Sequence, residues 1–161
     1  MSKAVSTFAL VAVLTAALAA LSFFVAQKGY SEGATGIARL EGLASATTFI
    51  PLAALYFFSG LLLMILPMRA ASFVLVNATD TLFWTTIVLL ATIVGVLVAR
   101  VAFGQTGALR ALLDWRFVFA IAVIGCHFIL DELRRNILLR SIAFAAFIAA
   151  TLVCLYWTLR F

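Results

Sequence analysis

Charge is scarce in this sequence. Only 11% of its 161 residues are Asp, Glu, Lys or Arg, whereas 66% are hydrophobic, and the mean hydropathy is +1.24. A soluble domain is closer to half apolar and a quarter charged. A soluble fold of this length could not hide so much apolar surface, so the excess must face lipid. The composition therefore predicts an integral membrane protein with no separate soluble module.

Histidine and cysteine are rarer still, with His127 the only histidine and Cys126 and Cys154 the only cysteines. These three residues supply no metal-ligand spacing, so we predict no metal site. We also predict no cofactor; the remaining hypothesis is a chlorin or haem held by His127 alone. Cys126 and His127 are adjacent and therefore point in different directions on a helix, so no catalytic residue is predicted.

The net charge of +5 does not indicate a nucleic-acid partner. The eleven Lys and Arg residues are scattered between apolar runs rather than gathered into a patch. In a membrane protein, such residues anchor helix ends at the interface with water. They are split almost evenly between the two predicted sides, so the positive-inside rule does not give the orientation. The predicted localisation is a membrane that the chain crosses several times, and the sequence does not identify which membrane.

Five apolar stretches meet or approach the length of about 20 residues that a transmembrane helix needs. They cover residues 5–26, 47–68, 81–101, 112–130 and 137–159. We therefore predict an all-α integral membrane protein, in which a compact bundle of about five transmembrane helices forms a single domain over residues 1–161.

Three connections between these stretches carry their own expectations. Residues 27–46 contain four glycines, which oppose a stable helix, so at most a short interfacial turn is expected at 37–43. Residues 70–81 read as an apolar loop in which Asn77, Thr79 and Asp80 cap a helix that begins at Thr81. Residues 108–117 predict a turn that lies in the interface and leads into the fourth span.

Small residues recur at four-residue spacing in three spans. Because lipid is as apolar as leucine, membrane helices associate through close packing at small side chains rather than by hiding from lipid. The stripes are Ala12, Ala16 and Ala20; Ala91, Gly95 and Ala99; and Ser141, Ala145 and Ala149. We predict that the stripe around Gly95 is a helix-packing face.

Polar residues gather in the stretch CHFILDELRRNILLR, residues 126–140. A single helix over 112–159 would be roughly 70 Å long, more than twice the bilayer core, so the chain must turn here. We expect a tight helical hairpin that remains helical nearly to its tip, with Asn136 as the residue suited to a left-handed cap. The candidate polar site consists of His127, Asp131, Glu132, Arg134 and Arg135.

This candidate site has two interpretations. In the one we adopt, the charges lie in the head-group region as a structural hairpin tip, with Asp131 and Arg135 paired across one helical turn. In the alternative, His127 and Asp131 form a proton relay, or the arginines hold a lipid phosphate.

Function is inferred mainly from the polar residues that the spans lack. No acid or base lies at the centre of any predicted span, which is unusual for an ion-coupled transporter. The sequence therefore favours a small non-catalytic subunit of a larger membrane protein complex, packed through its small-residue faces. A small oligomeric membrane transporter or channel is the alternative, and a membrane enzyme acting on lipid head groups is a further one. The expected partners are the lipid bilayer and other membrane protein subunits, or a second copy of the chain.

Two single cysteines test the number of spans. We expect Ser2→Cys and Phe161→Cys, each in a background lacking Cys126 and Cys154, to be labelled by a membrane-impermeant thiol reagent from opposite sides of the membrane. The reason is that an odd number of spans places the two termini on opposite sides. Labelling of both positions from one side would show that the number is even.

Overall fold

The computed structural model describes residues 2–43, 45–65 and 72–160, and within these ranges every regular element is a helix. The helices are α1 (Lys3–Gln27), α2 (Ser31–Leu43), α3 (Ala46–Ile65), α4 (Ser72–Ala102), a 3₁₀ segment (Thr106–Leu113), α5 (Trp115–Arg135) and α6 (Ile137–Arg160).

Four stretches are long and apolar enough to cross a membrane: Lys3–Gln27, Ser31–Ile65, Phe73–Ala102 and Ile137–Arg160. The broken pair Thr106–Leu113 and Phe117–Arg135 makes a fifth when it is counted as one span. The predicted fold class is confirmed, and the chain is a multi-pass membrane protein. Residues 66–68, at the predicted end of the second span, lie outside the described residues.

By its internal contacts the chain divides into two compact units. The first unit comprises Met1–Ala46 and Ile87–Phe117, and the second comprises Thr47–Thr86 and Val118–Phe161. Helix α4 therefore contributes its first half to the second unit and its second half to the first.

In the first unit, the chain turns sharply between α1 and α2. Gly29 has a φ of +88°, a left-handed conformation that glycine adopts without steric cost. Its N–H donates to the carbonyl of Ala26 at 3.0 Å, and the N–H of Tyr30 donates to the carbonyl of Val25 at 3.4 Å. These bonds satisfy carbonyls that the end of α1 would otherwise leave unpaired.

The expectation that residues 27–46 hold no stable helix is wrong, because α2 occupies Ser31–Leu43. Two of its three glycines, Gly33 and Gly36, allow close approach to α1. A Cβ added at Gly33 would lie 2.5 Å from the carbonyl oxygen of Ser22, and one added at Gly36 would lie 3.0 Å from the Ser22 hydroxyl. The packing against α1 therefore outweighs the low intrinsic helix propensity of glycine.

Helix α4 packs closely against α1 at Gly95. A Cβ at this position would lie 2.7 Å from the carbonyl oxygen of Ala12 and 2.9 Å from the backbone nitrogen of Ala16. The neighbouring residues of the stripe, Ala91 and Ala99, are almost completely buried. The two backbones approach where the sequence offers only small side chains.

The predicted loop before Thr81 is also wrong, because α4 begins nine residues earlier, at Ser72. Thr79 does not cap a helix end; its hydroxyl donates to the carbonyl of Leu75, one turn back, at 2.7 Å. Asp80 stands eight residues inside the helix. It is therefore an acidic residue within an apolar helix, which the sequence interpretation did not allow for.

In the second unit, α6 packs on α3. The ring of Phe147 lies against Gly60, where an added Cβ would lie 2.5 Å from the ring edge, and its centroid is 5.4 Å from that of Phe57. Further along, the Arg140 guanidinium donates to the carbonyl of Met64 in the last turn of α3. A cation at this end of a helix satisfies a free carbonyl and complements the helix dipole.

The predicted tight hairpin is confirmed, since only Asn136 separates α5 from α6. The contacts with α3 give the directions of both helices. His127 of α5 lies beside Tyr56, and α5 continues toward the Met64 end of α3, so these two helices run parallel. On α6, Arg140 contacts Met64 and Phe147 contacts Gly60, so α6 runs back along α3.

The left-handed cap at Asn136 is wrong, because no non-glycine residue among those described has a positive φ. Instead, the side-chain oxygen of Asn136 accepts a hydrogen bond from the N–H of Leu138 at 3.2 Å. It thereby caps the start of α6.

Replacement of Gly95 tests the contact between α1 and α4. We expect Gly95→Leu to lower the free energy of unfolding of the detergent-solubilised protein by about 1–3 kcal/mol, because the new side chain would meet the α1 backbone. Gly125→Leu is the matched control, since a Cβ at Gly125 meets no heavy atom within 4 Å. Thermal unfolding of both variants checks this, and equal midpoints would contradict the close contact.

Candidate functional site

Three polar side chains meet inside the second unit, and we call them the relay cluster: Tyr56 of α3, Asp80 of α4 and His127 of α5. The Tyr56 hydroxyl lies 3.4 Å from Nδ1 of His127. On the other side of the ring, Nε2 of His127 lies 3.5 Å from Oδ1 of Asp80. The imidazole therefore bridges a phenol and a carboxylate that belong to two other helices.

Aromatic packing holds the imidazole in place. The Phe83 ring stacks on the His127 ring, with 3.9 Å between centroids and an angle of 13° between the planes. Phe83 is itself buried and follows Asp80 by three residues, so both project from one face of α4. The same helical turn thus supplies the carboxylate and the flat surface that orients the imidazole.

The exposure of the three side chains is graded. The Asp80 side chain is 52% exposed and that of His127 is 19% exposed, whereas Tyr56 is completely buried. Tyr56 stands ten residues after Ala46, about 15 Å from that end of α3, and therefore at the middle of the helix. The relay cluster leads from an accessible carboxylate to a hydroxyl that is enclosed by protein.

The chemistry of the groups constrains the proton positions. An ionised carboxylate only accepts hydrogen bonds, so the Nε2 that faces Asp80 carries a proton. In the neutral imidazole Nδ1 is then an acceptor, and the Tyr56 hydroxyl donates to it. In the imidazolium Nδ1 also carries a proton, and the Tyr56 oxygen accepts. The site thus accommodates both charge states, and the Asp80 carboxylate compensates the imidazolium charge.

Both separations exceed the distance of about 2.7–3.2 Å that is typical of strong hydrogen bonds. Small side-chain rotations would close both of them. Proton transfer needs only a transient approach of this kind, so the observed spacing is compatible with a relay.

Of the five sequence-predicted site residues, only His127 belongs to the relay cluster. Asp131, Glu132 and Arg135 are exposed, and Arg134 is half-buried. The side chains of Asp131 and Arg135, both described, form no salt bridge with each other, so the expected pair is not present in the structure. Helix α5 continues to Arg135, eight residues beyond His127, and this places the histidine about 12 Å from the tip.

Sequence reasoning missed Tyr56 and Asp80. Nothing in an isolated span reveals that Tyr56 has a partner 71 positions away. Asn77 and Thr79 precede Asp80, and this pattern favours a helix cap over an acid inside a helix. The apolar run Phe73–Val76 was the available signal, since it allows the helix to begin before the acid.

No family model, no curated protein and no solved structure matches this chain. What the residues themselves establish is a helical protein with several membrane spans, in contact with the lipid bilayer. The relay cluster is the feature from which its chemistry can be argued.

Removal of the Tyr56 hydroxyl tests whether it is bonded. We expect Tyr56→Phe to lower the free energy of unfolding by about 1 kcal/mol, because His127 loses a buried hydrogen-bond partner. Tyr156→Phe makes the same chemical change on a side chain that is 64% exposed, and it should leave the unfolding free energy unchanged. Thermal unfolding in detergent measures both, and an unaffected Tyr56→Phe protein would argue against the contact.

Proposed function

We propose that the protein is a small membrane transport protein that conducts protons through the relay cluster. The observation that supports this is the His127 ring, held between the Asp80 carboxylate and the Tyr56 hydroxyl. Ionisable residues within membrane spans are costly and most often mark proton or substrate pathways. Histidine suits the task because its ordinary pKa lies near neutrality, so it binds and releases protons readily.

The transfer can be written group by group. Asp80, the accessible member, takes up a proton, and as a carboxylic acid it donates that proton to Nε2 of His127. The imidazole must at that moment carry its other proton on Nδ1, so the product is an imidazolium beside a restored carboxylate. Nδ1–H then faces the Tyr56 oxygen, which takes this proton while the Tyr56 hydroxyl passes its own proton to a water molecule on its far side. The imidazole is left neutral with its proton on Nε2, and exchange with water returns that proton to Nδ1 before the next transfer. No step leaves an isolated charge in the apolar interior.

The neighbouring residues support a single route. Phe83 stacks on one face of the imidazole and fixes the plane of the ring, so the two nitrogens stay directed at Asp80 and Tyr56. Tyr56 and Phe83 are buried in protein, whereas Asp80 is half-exposed, which gives the relay one accessible entrance. These features fit the transporter alternative better than a hairpin tip with purely structural charges.

A second function, that of a subunit in a larger membrane complex, is favoured by one face of α6. The buried residues of α6 include Ala143, Phe147, Thr151 and Cys154, whereas the small-residue stripe Ser141, Ala145 and Ala149 is exposed. A face of small side chains lets another helix approach closely. Another membrane subunit, or a second copy of this chain, would fit there, and the mass of the intact assembly in mild detergent distinguishes the two.

Proton flux into liposomes tests the relay. We expect the purified protein to acidify vesicles that enclose a pH-sensitive dye when a membrane potential is imposed. Asp80→Asn and His127→Gln should lower the initial rate by at least about tenfold, because each removes a group that binds the transferred proton. Tyr56→Phe should also lower the rate.

Glu132→Gln is the matched control for this experiment. It removes the same charge from an exposed position on α5 that is outside the relay cluster, and the rate should stay at the wild-type level. If Asp80→Asn and Glu132→Gln conduct equally well, the relay proposal is wrong. If the wild-type protein shows no flux above empty vesicles, conduction by the chain alone is ruled out and the subunit function is favoured.

A further inference from the structure

The first unit contains a cavity of about 210 Å³ that the relay cluster does not use. Its walls are mostly aliphatic: α4 supplies Ile93, Val96 and Leu97, and the 3₁₀ segment supplies Ala108 and Ala111. One water needs only about 10–15 Å³ measured in the same way. The cavity is therefore large enough for part of a ligand, and most of its lining would suit an alkyl chain.

One end of the cavity is charged. The Nη2 of Arg100 on α4 donates to Oε1 of Glu41 on α2, and both residues line the cavity. The Nε of Arg100 is buried, and among the described residues it has no hydrogen-bond acceptor. A buried donor without an acceptor is costly, so this nitrogen points to a bound group that carries an oxygen. Glu41 uses one carboxylate oxygen for Arg100 and keeps the other for a donor.

The charged end belongs at the level of the lipid head groups. Arg100 lies in the last turn of α4, which ends two residues later at Ala102, and Gly104 turns the chain with a φ of +85°. The 3₁₀ segment that follows exposes Leu109, Leu112 and Leu113, the last with 89% of its surface free. Leucines so exposed on a short segment at a helix end are typical of an element lying in the membrane interface.

We propose that this cavity binds a zwitterionic phospholipid that carries a primary ammonium, such as phosphatidylethanolamine. The phosphate oxygen accepts from Nε of Arg100, since guanidinium and phosphate form strong charge-assisted hydrogen bonds. The ammonium donates to the second oxygen of Glu41. The start of an acyl chain lies against the wall formed by Ile93, Val96 and Leu97.

The chemistry of the pocket selects this class of ligand. The Arg100–Glu41 pair has no net charge, so it matches a head group that also has none but carries both signs. A free phosphate ion would lose its hydration against aliphatic walls without compensation. A choline head group has a cation but no N–H to donate, so it would leave the Glu41 oxygen unmatched.

Lipid retention by the intact, delipidated protein in mild detergent tests the proposal. The probes are palmitoyl-oleoyl phosphatidylethanolamine, the corresponding phosphatidylglycerol and phosphatidylcholine, and inorganic phosphate, followed by native mass spectrometry and thermal unfolding. We expect phosphatidylethanolamine to be retained at least about tenfold more strongly than the other two lipids, and to raise the unfolding midpoint. Tighter retention of phosphatidylglycerol or phosphatidylcholine would overturn the proposed head-group class. Inorganic phosphate that stabilises the protein as well as the lipid does would show that a free phosphate is the ligand.

Three variants assign the retention to this cavity. Arg100→Gln should abolish it, and Glu41→Gln should abolish the preference for phosphatidylethanolamine over phosphatidylglycerol. Ala108→Leu fills the cavity, leaves the ion pair in place and should also abolish retention, so the test does not depend on folding of the charge variants. Arg110→Gln is the matched control, because Arg110 is exposed on the same segment and does not line the cavity. Retention that is equal in Ala108→Leu and Arg110→Gln would overturn the proposal.

Discussion

In a bilayer, a polar group that has left water must find its partner inside the protein. The described part of this chain meets that constraint mostly within single helices. The buried threonines Thr15, Thr79, Thr86, Thr92 and Thr151 each donate to the carbonyl four residues earlier. A hydroxyl satisfied in this way needs nothing from a neighbouring helix. Polar groups that cannot be satisfied locally therefore indicate where one helix depends on another.

Charged side chains are the groups that need such help. In the second unit, Asp80 is matched by His127, and Arg140 by the carbonyl of Met64 at the end of α3. In the first unit, Arg100 is matched by Glu41. Each match joins two helices, so the polar contacts that stabilise the tertiary structure are also the places where chemistry can occur. The proposed proton relay and the proposed lipid site both arise from this coincidence.

Close backbone approach provides the remaining contacts between helices. Gly33 brings α2 onto α1, Gly95 brings α4 onto α1, and Gly60 receives the Phe147 ring of α6. The stripe around Gly95 could be predicted from sequence, because small residues recur there at helical spacing. The role of Gly33 could not, since glycine in a polar segment is as typical of a loop as of a packed helix. The distinction depends on α1, which lies beside α2 only after the chain has turned at Gly29.

The amino-acid sequence by itself determined the solvent, the secondary structure class and the approximate number of spans, because these follow from the summed hydropathy of long segments. It also singled out His127 and placed the hairpin at Asn136, since a helix through that point would be too long for a bilayer. The tertiary structure decided which side chains His127 meets. Tyr56 and Asp80 are 71 and 47 positions away, and the choice between a cap and an intrahelical acid at Asp80 depends on that distant histidine. Local periodicity reports how each helix faces lipid, whereas a polar pair between helices exists only once the helices have packed.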